Sequence, residues 1–246
     1  VDAHDQPMPI DFYVWVIRNE NRTIVVDTGF GHAEAEKRER SVLCLPKEAL
    51  ARIGVNASQV EDVVITHMHY DHAGTLGDFP QARFHIQETE MQFVTGKWML
   101  DDEERFAYSA DHVAELVHKL FEKRVVFHAE DGELAPGVTV HRVAGHTMGM
   151  QAVRVRTKRG MLLLASDASH FYEHWVRSVP FTICWSQDNL MQSYQKFEEL
   201  ADSENHVIPG HDPLVRKLYP AFSAATGDEV ICLDVAPSQS LYTLFP

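Results

Sequence analysis

The nine residues Thr66-His67-Met68-His69-Tyr70-Asp71-His72-Ala73-Gly74 constrain this 246-residue chain more than any other stretch. Three histidines and an aspartate fall within six residues, directly after Val63-Val64-Ile65, an apolar run that reads as a buried strand. The fold must therefore deliver a dense polar cluster to the end of a strand. Imidazole nitrogens and carboxylate oxygens suit zinc and similar divalent ions, and carboxylates also suit manganese or iron. Histidine and aspartate are common in surface loops, yet His-x-His-x-Asp-His arises by accident in roughly one such chain in a few hundred. The motif points to a metal site.

The length allows one large domain or two small ones, and 45% hydrophobic residues suffice to fill a core. No run approaches the roughly eighteen apolar residues of a membrane helix, and no secretory signal opens the chain. The first residue is Val1, so an N-terminal segment could be missing. A net charge of −14 opposes binding to nucleic acid or to anionic membranes. Cys44, Cys184 and Cys232 are odd in number and far apart, giving neither a disulfide framework nor a Cys-x-x-Cys zinc site. They read as free thiols in a reducing compartment, and the expected location is cytoplasmic.

Along the chain, residues 12–18 and 23–26 read as a hairpin ending in Asp27-Thr28-Gly29. Helices are expected over 33–40 and over 47–53, the second between Pro46 and Gly54. After the metal motif, 83–86 reads as a strand and 88–95 as a helix closed by Gly96. The stretch 97–123 ends in a helical pattern at Val113, Leu116, Val117, Leu120 and Phe121; it fits a cover over the site and an ordinary surface helix equally well. Strands at 125–127 and 138–140 are separated by a Gly- and Pro-containing turn, and Gly145-His146-Thr147-Met148-Gly149 follows. Residues 151–156 and 161–165 form a second hairpin leading into Ser166-Asp167-Ala168. Residues 189–201 form an amphipathic helix, and Val207-Ile208 leads into Pro209-Gly210-His211-Asp212. His67, His69, Asp71, His72, His146, Asp167 and His211 thus all occupy loops that follow strands, and loops at one sheet edge can converge. Without repeats or linkers, the chain reads as one domain over 1–246.

At these residues the chain resembles the metallo-β-lactamase superfamily. Thr66 to Gly74 matches its His-x-His-x-Asp-His-x-Gly signature, followed in order by Gly145-His146-Thr147, Ser166-Asp167 and Gly210-His211, and Asp27-Thr28-Gly29 matches its early Asp-x-Gly turn. The resemblance implies an α/β fold, a four-layer αββα sandwich, with a dinuclear site at one sheet edge. It further implies that His67, His69 and His146 hold one divalent ion, that Asp71, His72 and His211 hold a second, and that Asp167 bridges them, with zinc the foremost metal. Asp27 would stand behind the ligands and orient one of them. A carboxylate at Asp167 is unlike true β-lactamases, and His69 is unlike the Glu of flavodiiron oxygen reductases.

The nearest branch by resemblance is that of the N-acyl homoserine lactonases, the quorum-quenching enzymes. It implies a hydrolase that opens a lactone ring through a hydroxide shared by the two ions, with Asp71 relaying a proton. That branch typically places Tyr three residues after the bridging Asp; here the position is His170, which could donate a hydrogen bond in its place, with Tyr172 ranked behind it. Met68, Tyr70, Met148, Phe171, Trp175, Phe181 and Trp185 are candidates for an apolar pocket, though such residues are more often core. His85, His112, His118, His128, His141, His174 and His206 read as structural or solvated. The expected partner is a small-molecule lactone or ester, with neither nucleic acid nor membrane; a homodimer stays open. Two other readings use the same residues. One is a thioesterase resembling glyoxalase II or another ester or amide hydrolase, against which Arg216 and Lys217 are the only basic residues after His211. The other is a non-catalytic metal-binding sensor, against which all seven ligand positions are filled.

Overall fold

The computed structural model describes residues 8–245, so Val1 and the question of a missing leading segment lie outside it. Ten strands form two five-stranded sheets. The first contains β1 (Trp15–Arg18), β2 (Thr23–Val26), β3 (Asp62–Val64), β4 (Arg83–Gln87) and β5 (Val125–His128), side by side in chain order. Its first two strands pair antiparallel, as the expected hairpin, and β2 to β5 run parallel. The second contains β6 (Gly132–Ala135), β7 (Val138–Arg142), β8 (Gln151–Thr157), β9 (Gly160–Ser166) and β10 (Val207–Pro209), ordered β10-β9-β8-β7-β6. The helices are α1 (His32–Lys37), α2 (Pro46–Arg52), α3 (Glu88–Val94), α4 (Asp102–Arg105), α5 (Ala110–Phe121), α6 (Tyr172–Val176), α7 (Gln187–Leu200), α8 (Leu214–Leu218) and α9 (Leu241–Leu244).

The layering follows from the period-2 alternation of strand side chains. Ile24, Val26 and Val64 face the second sheet and pack with Val140, Val153, Leu162, Leu164 and Ile208. Their neighbours Val25 and Val63 point the other way, with Phe84 and Ile86, onto Leu50 of α2, Phe93 of α3 and Leu116 of α5. Leu163 and Ala165 leave the opposite face of the second sheet and meet Leu190, Tyr194, Phe197 and Leu200 of α7. Three apolar interfaces thus join four layers in the order helix, sheet, sheet, helix, the αββα sandwich that the family resemblance implies. Each fully buried Val, Leu, Ile or Phe contributes roughly 1.5–3 kcal/mol, against about 0–1 kcal/mol for an exposed ion pair, so burial holds the layers together.

One expectation needs correction. The segment between β5 and β7 is more than a turn, because β6 lies in it and pairs antiparallel with β7 through an irregular register. Its sequence, Gly-Glu-Leu-Ala, lacks β-branched alternation, and tertiary pairing at a sheet edge supplies what propensity does not. No helix among the described residues is long and apolar enough to cross a membrane.

Strand direction determines where the polar loops emerge. β7 and β9 each pair antiparallel with β8, so they run the same way, and β10 runs parallel to β9. The loops after β7, β9 and β10 therefore leave one edge of the second sheet, and those after β2 and β3 leave one edge of the first. The Gln151 N–H, at the start of β8, donates to the Thr66 carbonyl oxygen across 2.9 Å and joins the two edges.

Candidate metal centre

The seven expected ligands form two overlapping groups: His67, His69, His146 and Asp167, and Asp71, His72, Asp167 and His211. Within each group, one ligand atom per residue lies within 4.8 Å of every other, and all seven residues are buried. Asp167 belongs to both. Its Oδ2 is 2.9 Å from His211 Nε2, 3.4 Å from His146 Nε2 and 3.8 Å from His67 Nε2, and its Oδ1 is 3.4 Å from His72 Nε2. Asp71 Oδ2 stands 3.3 Å from His72 Nε2 and 3.5 Å from His211 Nε2.

Four of the five rings are aimed by a contact on the far side. His72 Nδ1 is 2.8 Å from Asp27 Oδ2, His211 Nδ1 is 2.7 Å from the Asp11 carbonyl oxygen, and His146 Nδ1 is 2.8 Å from that of Ile183. His67 Nδ1 meets Thr66 Oγ1 at 3.2 Å. These partners leave Nε2 facing the cluster, whereas His69 faces it through Nδ1, 2.9 Å from His146 Nε2. Asp27 also accepts from the Thr66 N–H and hydroxyl, both at 2.8 Å, so it stands behind the cluster as expected. Asp27 and Ser166 both adopt positive φ, 62° and 47°, which side-chain-bearing residues rarely do away from functional loops.

This arrangement suits cations and is poorly satisfied without them. Burial pushes His67 and His146 well below the ordinary histidine pKa and His69 down to about 3, leaving neutral rings with free lone pairs. Burial also opposes charge on His72, but Asp167, Asp71 and Asp27 outweigh it and hold that ring's pKa well above the usual value. Asp71 is likewise disfavoured by burial, and His72 and His211 bring it to about 2. His67 Nε2, His72 Nε2 and Asp167 Oδ1 are buried without a hydrogen-bond partner. Ligands about 2.0–2.1 Å from a tetrahedral ion stand roughly 3.4 Å apart, in the middle of the separations found here. The donor set therefore fits two divalent ions.

His170 stands beside the cluster. Its Nε2 lies 3.2 Å from Asp167 Oδ2, and its ring stacks on Phe181 at 4.0 Å and meets His146 and His211 edge-on. Tyr172 does not join it. That side chain is fully buried in the core between the sheets, among Trp15, Val215 and Tyr219, because it lies on the inward face of α6.

The apolar candidates divide similarly. Met68 and Trp175 are core residues, Met148 packs against the core, and Trp185 packs on Phe93. Phe171 meets His174 edge-on, and Phe181 lies against both His146 and His170. Tyr70 closes a small cluster with Phe12 and Phe30 and lines a cavity of about 1130 Å³ beside the signature loop. The seven histidines that read as structural or solvated, His85, His112, His118, His128, His141, His174 and His206, lie outside both ligand groups; His85, for example, bonds to Asp62 and His128.

Two contributors were not expected from the sequence. Tyr108 makes a strand-like bridge to His69 and packs edge-on against its ring, so the 97–123 segment flanks the centre while Leu116 anchors it in the core. Glu90, fully buried in the first turn of α3, accepts hydrogen bonds from both the signature loop and the His146 loop. An acidic residue in a helix's first turn is common, and nothing local distinguished this one.

Comparison with known proteins agrees with this geometry. Residues 13–216 match the sequence family described as the metallo-beta-lactamase superfamily. An N-acyl homoserine lactonase from a Bacillus species is 26% identical over 221 residues, covering 82% of each chain. The crystal structure of a quorum-quenching N-acyl homoserine lactone lactonase superposes with a TM-score of 0.69 at 23% identity, covering 83% of this chain and 81% of that one. AidC, a dizinc quorum-quenching lactonase in complex with a product, superposes with a TM-score of 0.60 at 20% identity, covering 83% and 73%.

Proposed function

The chain belongs to the metallo-β-lactamase superfamily, and from that premise we propose a single hydrolase domain that holds two divalent cations, zinc foremost, and opens a lactone ring. The observation that carries the reading is that Asp167 is shared between two complete, buried ligand groups. The lactonase relatives, one of them described as dizinc, support the substrate class and the metal. When bound, two cations at such a centre supply Lewis acidity for a carbonyl oxygen and lower the pKa of water toward neutrality.

The chain's own side chains supply the remaining steps. Burial lowers the pKa of His170, so its ring is neutral near pH 7 and carries an N–H. Nε2 has no hydrogen-bond partner and faces the cluster, where it can donate to the oxygen that becomes negative when the ester carbonyl is attacked. Asp71, ionised between His72 and His211, takes a proton from the attacking water and passes it to the ring oxygen as the C–O bond breaks. Water and lactone thereby give the hydroxy acid. The cavity beside Tyr70 and Tyr108, lined by Val94, Met99, Val113 and Val117 together with charged side chains such as Arg38 and Arg105, has room for an acyl chain, since pockets for small molecules span about 300–1,000 Å³.

The test is proton release from a panel of lactones, with esters and thioesters in parallel, using protein of measured metal content. Ring-opening at two metal equivalents, lost in Asp167→Ala, is the expected result. Two equivalents with every lactone untouched sinks the lactone assignment, and turnover of a thioester alone reassigns the substrate.

A further inference from the structure

We propose that Glu90 is a positioning residue for one half of the metal centre: its carboxylate clasps the two loops that carry His67, His69 and His146, and thereby sets that half's affinity for its cation. The proposal rests on the two-cation reading above.

The clasp consists of three hydrogen bonds. The Met68 N–H donates to Oε1 at 2.9 Å, and the Thr147 hydroxyl and Gly149 N–H donate to Oε2 at 2.7 and 3.1 Å. Met68 separates His67 from His69, and Thr147 follows His146 directly. One buried side chain thus spans two loops that approach each other only in the folded protein. No lysine, arginine or histidine forms an ion pair with Glu90 among the described residues, and a buried carboxylate without a cation is tolerated only where donors converge on it. The contact is also close in the backbone. A Cβ on Gly149 would lie 2.0 Å from the Glu90 nitrogen, so the His146 loop is pressed directly onto the start of α3.

Glu90 makes no hydrogen bond to Asp71, His72 or His211; the first two share the signature loop with Met68 but lie beyond the clasped residue. His72 is aimed by Asp27 and His211 by the Asp11 carbonyl oxygen, neither of which depends on α3. Loosening the clasp should therefore weaken one cation and spare the other. A carboxylate is specifically required, because the two backbone donors lie on different oxygens. Glu90→Gln keeps the volume, yet its amide nitrogen faces either the Met68 N–H or the Gly149 N–H, whichever way the group turns.

The experiment is titration of metal-stripped protein with zinc against a chromophoric chelator, repeated with cobalt to read the absorption of each equivalent. In Glu90→Gln one equivalent should bind as in the unaltered protein and the other on the order of 10- to 100-fold more weakly. Two equivalents with unaltered affinities overturn the proposal. So does equal weakening of both, the mark of general loosening, which would be accompanied by a lower melting temperature of the metal-free protein. Failure of the unaltered protein to bind two equivalents would instead refute the two-cation reading, so the two failures are distinct. Should Glu90→Gln not fold, Thr147→Val removes one arm of the clasp; a smaller one-sided loss supports the proposal, and no loss or a symmetrical one overturns it.

Discussion

Asp27→Asn should selectively disable the half of the centre built from Asp71, His72, Asp167 and His211. Asparagine tolerates the positive φ of 62° at this position, so the backbone is undisturbed. With Oδ1 still accepting from the Thr66 N–H, the new amide nitrogen occupies the site of Oδ2, 2.8 Å from His72 Nδ1. Two N–H groups cannot face each other there, so His72 must move its proton to Nε2, which covers the lone pair aimed at Asp71 and Asp167. The Thr66 hydroxyl adapts more easily: it can turn its proton to Ser166 Oγ, 3.0 Å away, and accept from the amide, leaving His67 supported. Losing one hydrogen bond to a charged group costs about 1.5–3 kcal/mol, equivalent to roughly 10- to 100-fold in affinity. Competition titration with zinc should show one equivalent weakened by that factor, and ring-nitrogen chemical shifts should report the changed His72 tautomer. Unchanged binding of both equivalents, or weakening confined to the His67 half, would refute the reasoning.

Three further outcomes follow from the same geometry. Gly210→Ala places a methyl group 2.3 Å from Asp167 Oδ1, so it should displace the shared carboxylate and weaken both zinc equivalents together, in contrast to Asp27→Asn. Tyr172→Phe should leave turnover and metal content unchanged, whereas His170→Ala should lower kcat on the order of 10²-fold; the reverse pattern would restore Tyr172 as the reacting group. Asp62 is held below the usual carboxylate pKa, chiefly by its hydrogen bond from His85, with Arg83 assisting against burial. Its contribution is therefore fully present above the unfolded pKa of about 3.9 and is lost as pH falls through the lower folded value. Asp62→Asn should be about 1.5 kcal/mol less stable than the unaltered protein in urea at pH 7, a gap that closes on acidification; a gap independent of pH would contradict this.

The αββα architecture was reached through the family resemblance that the motifs carry; what the residues wrote locally was a mixture of strands and helices with histidines and aspartates at strand ends. Alternation in runs such as Ile24-Val25-Val26 and Leu162-Leu163-Leu164 specifies a strand buried on two faces, and a histidine or aspartate just beyond such a run marks a sheet edge. The spacing of His67, His69, Asp71 and His72 within one loop needed no tertiary information. The strand at Gly132–Ala135 was hidden because its residues carry no such pattern, and only an antiparallel neighbour makes it a strand. Tyr172 and His170 are two residues apart and equally polar at one end; the packing of α6 sends one into the core and leaves the other over the centre.

What only the tertiary structure decided is how each ligand is held. His211 is aimed by the carbonyl oxygen of Asp11, 200 positions earlier, and the loops of His67 and His146 are joined by a glutamate that belongs to neither. The chain sequence determined which side chains could bind cations, through their chemistry and their places at strand ends. Which nitrogen His72, His146 and His211 present depends on a hydrogen bond to the far side of each ring, and those partners meet only when the chain folds.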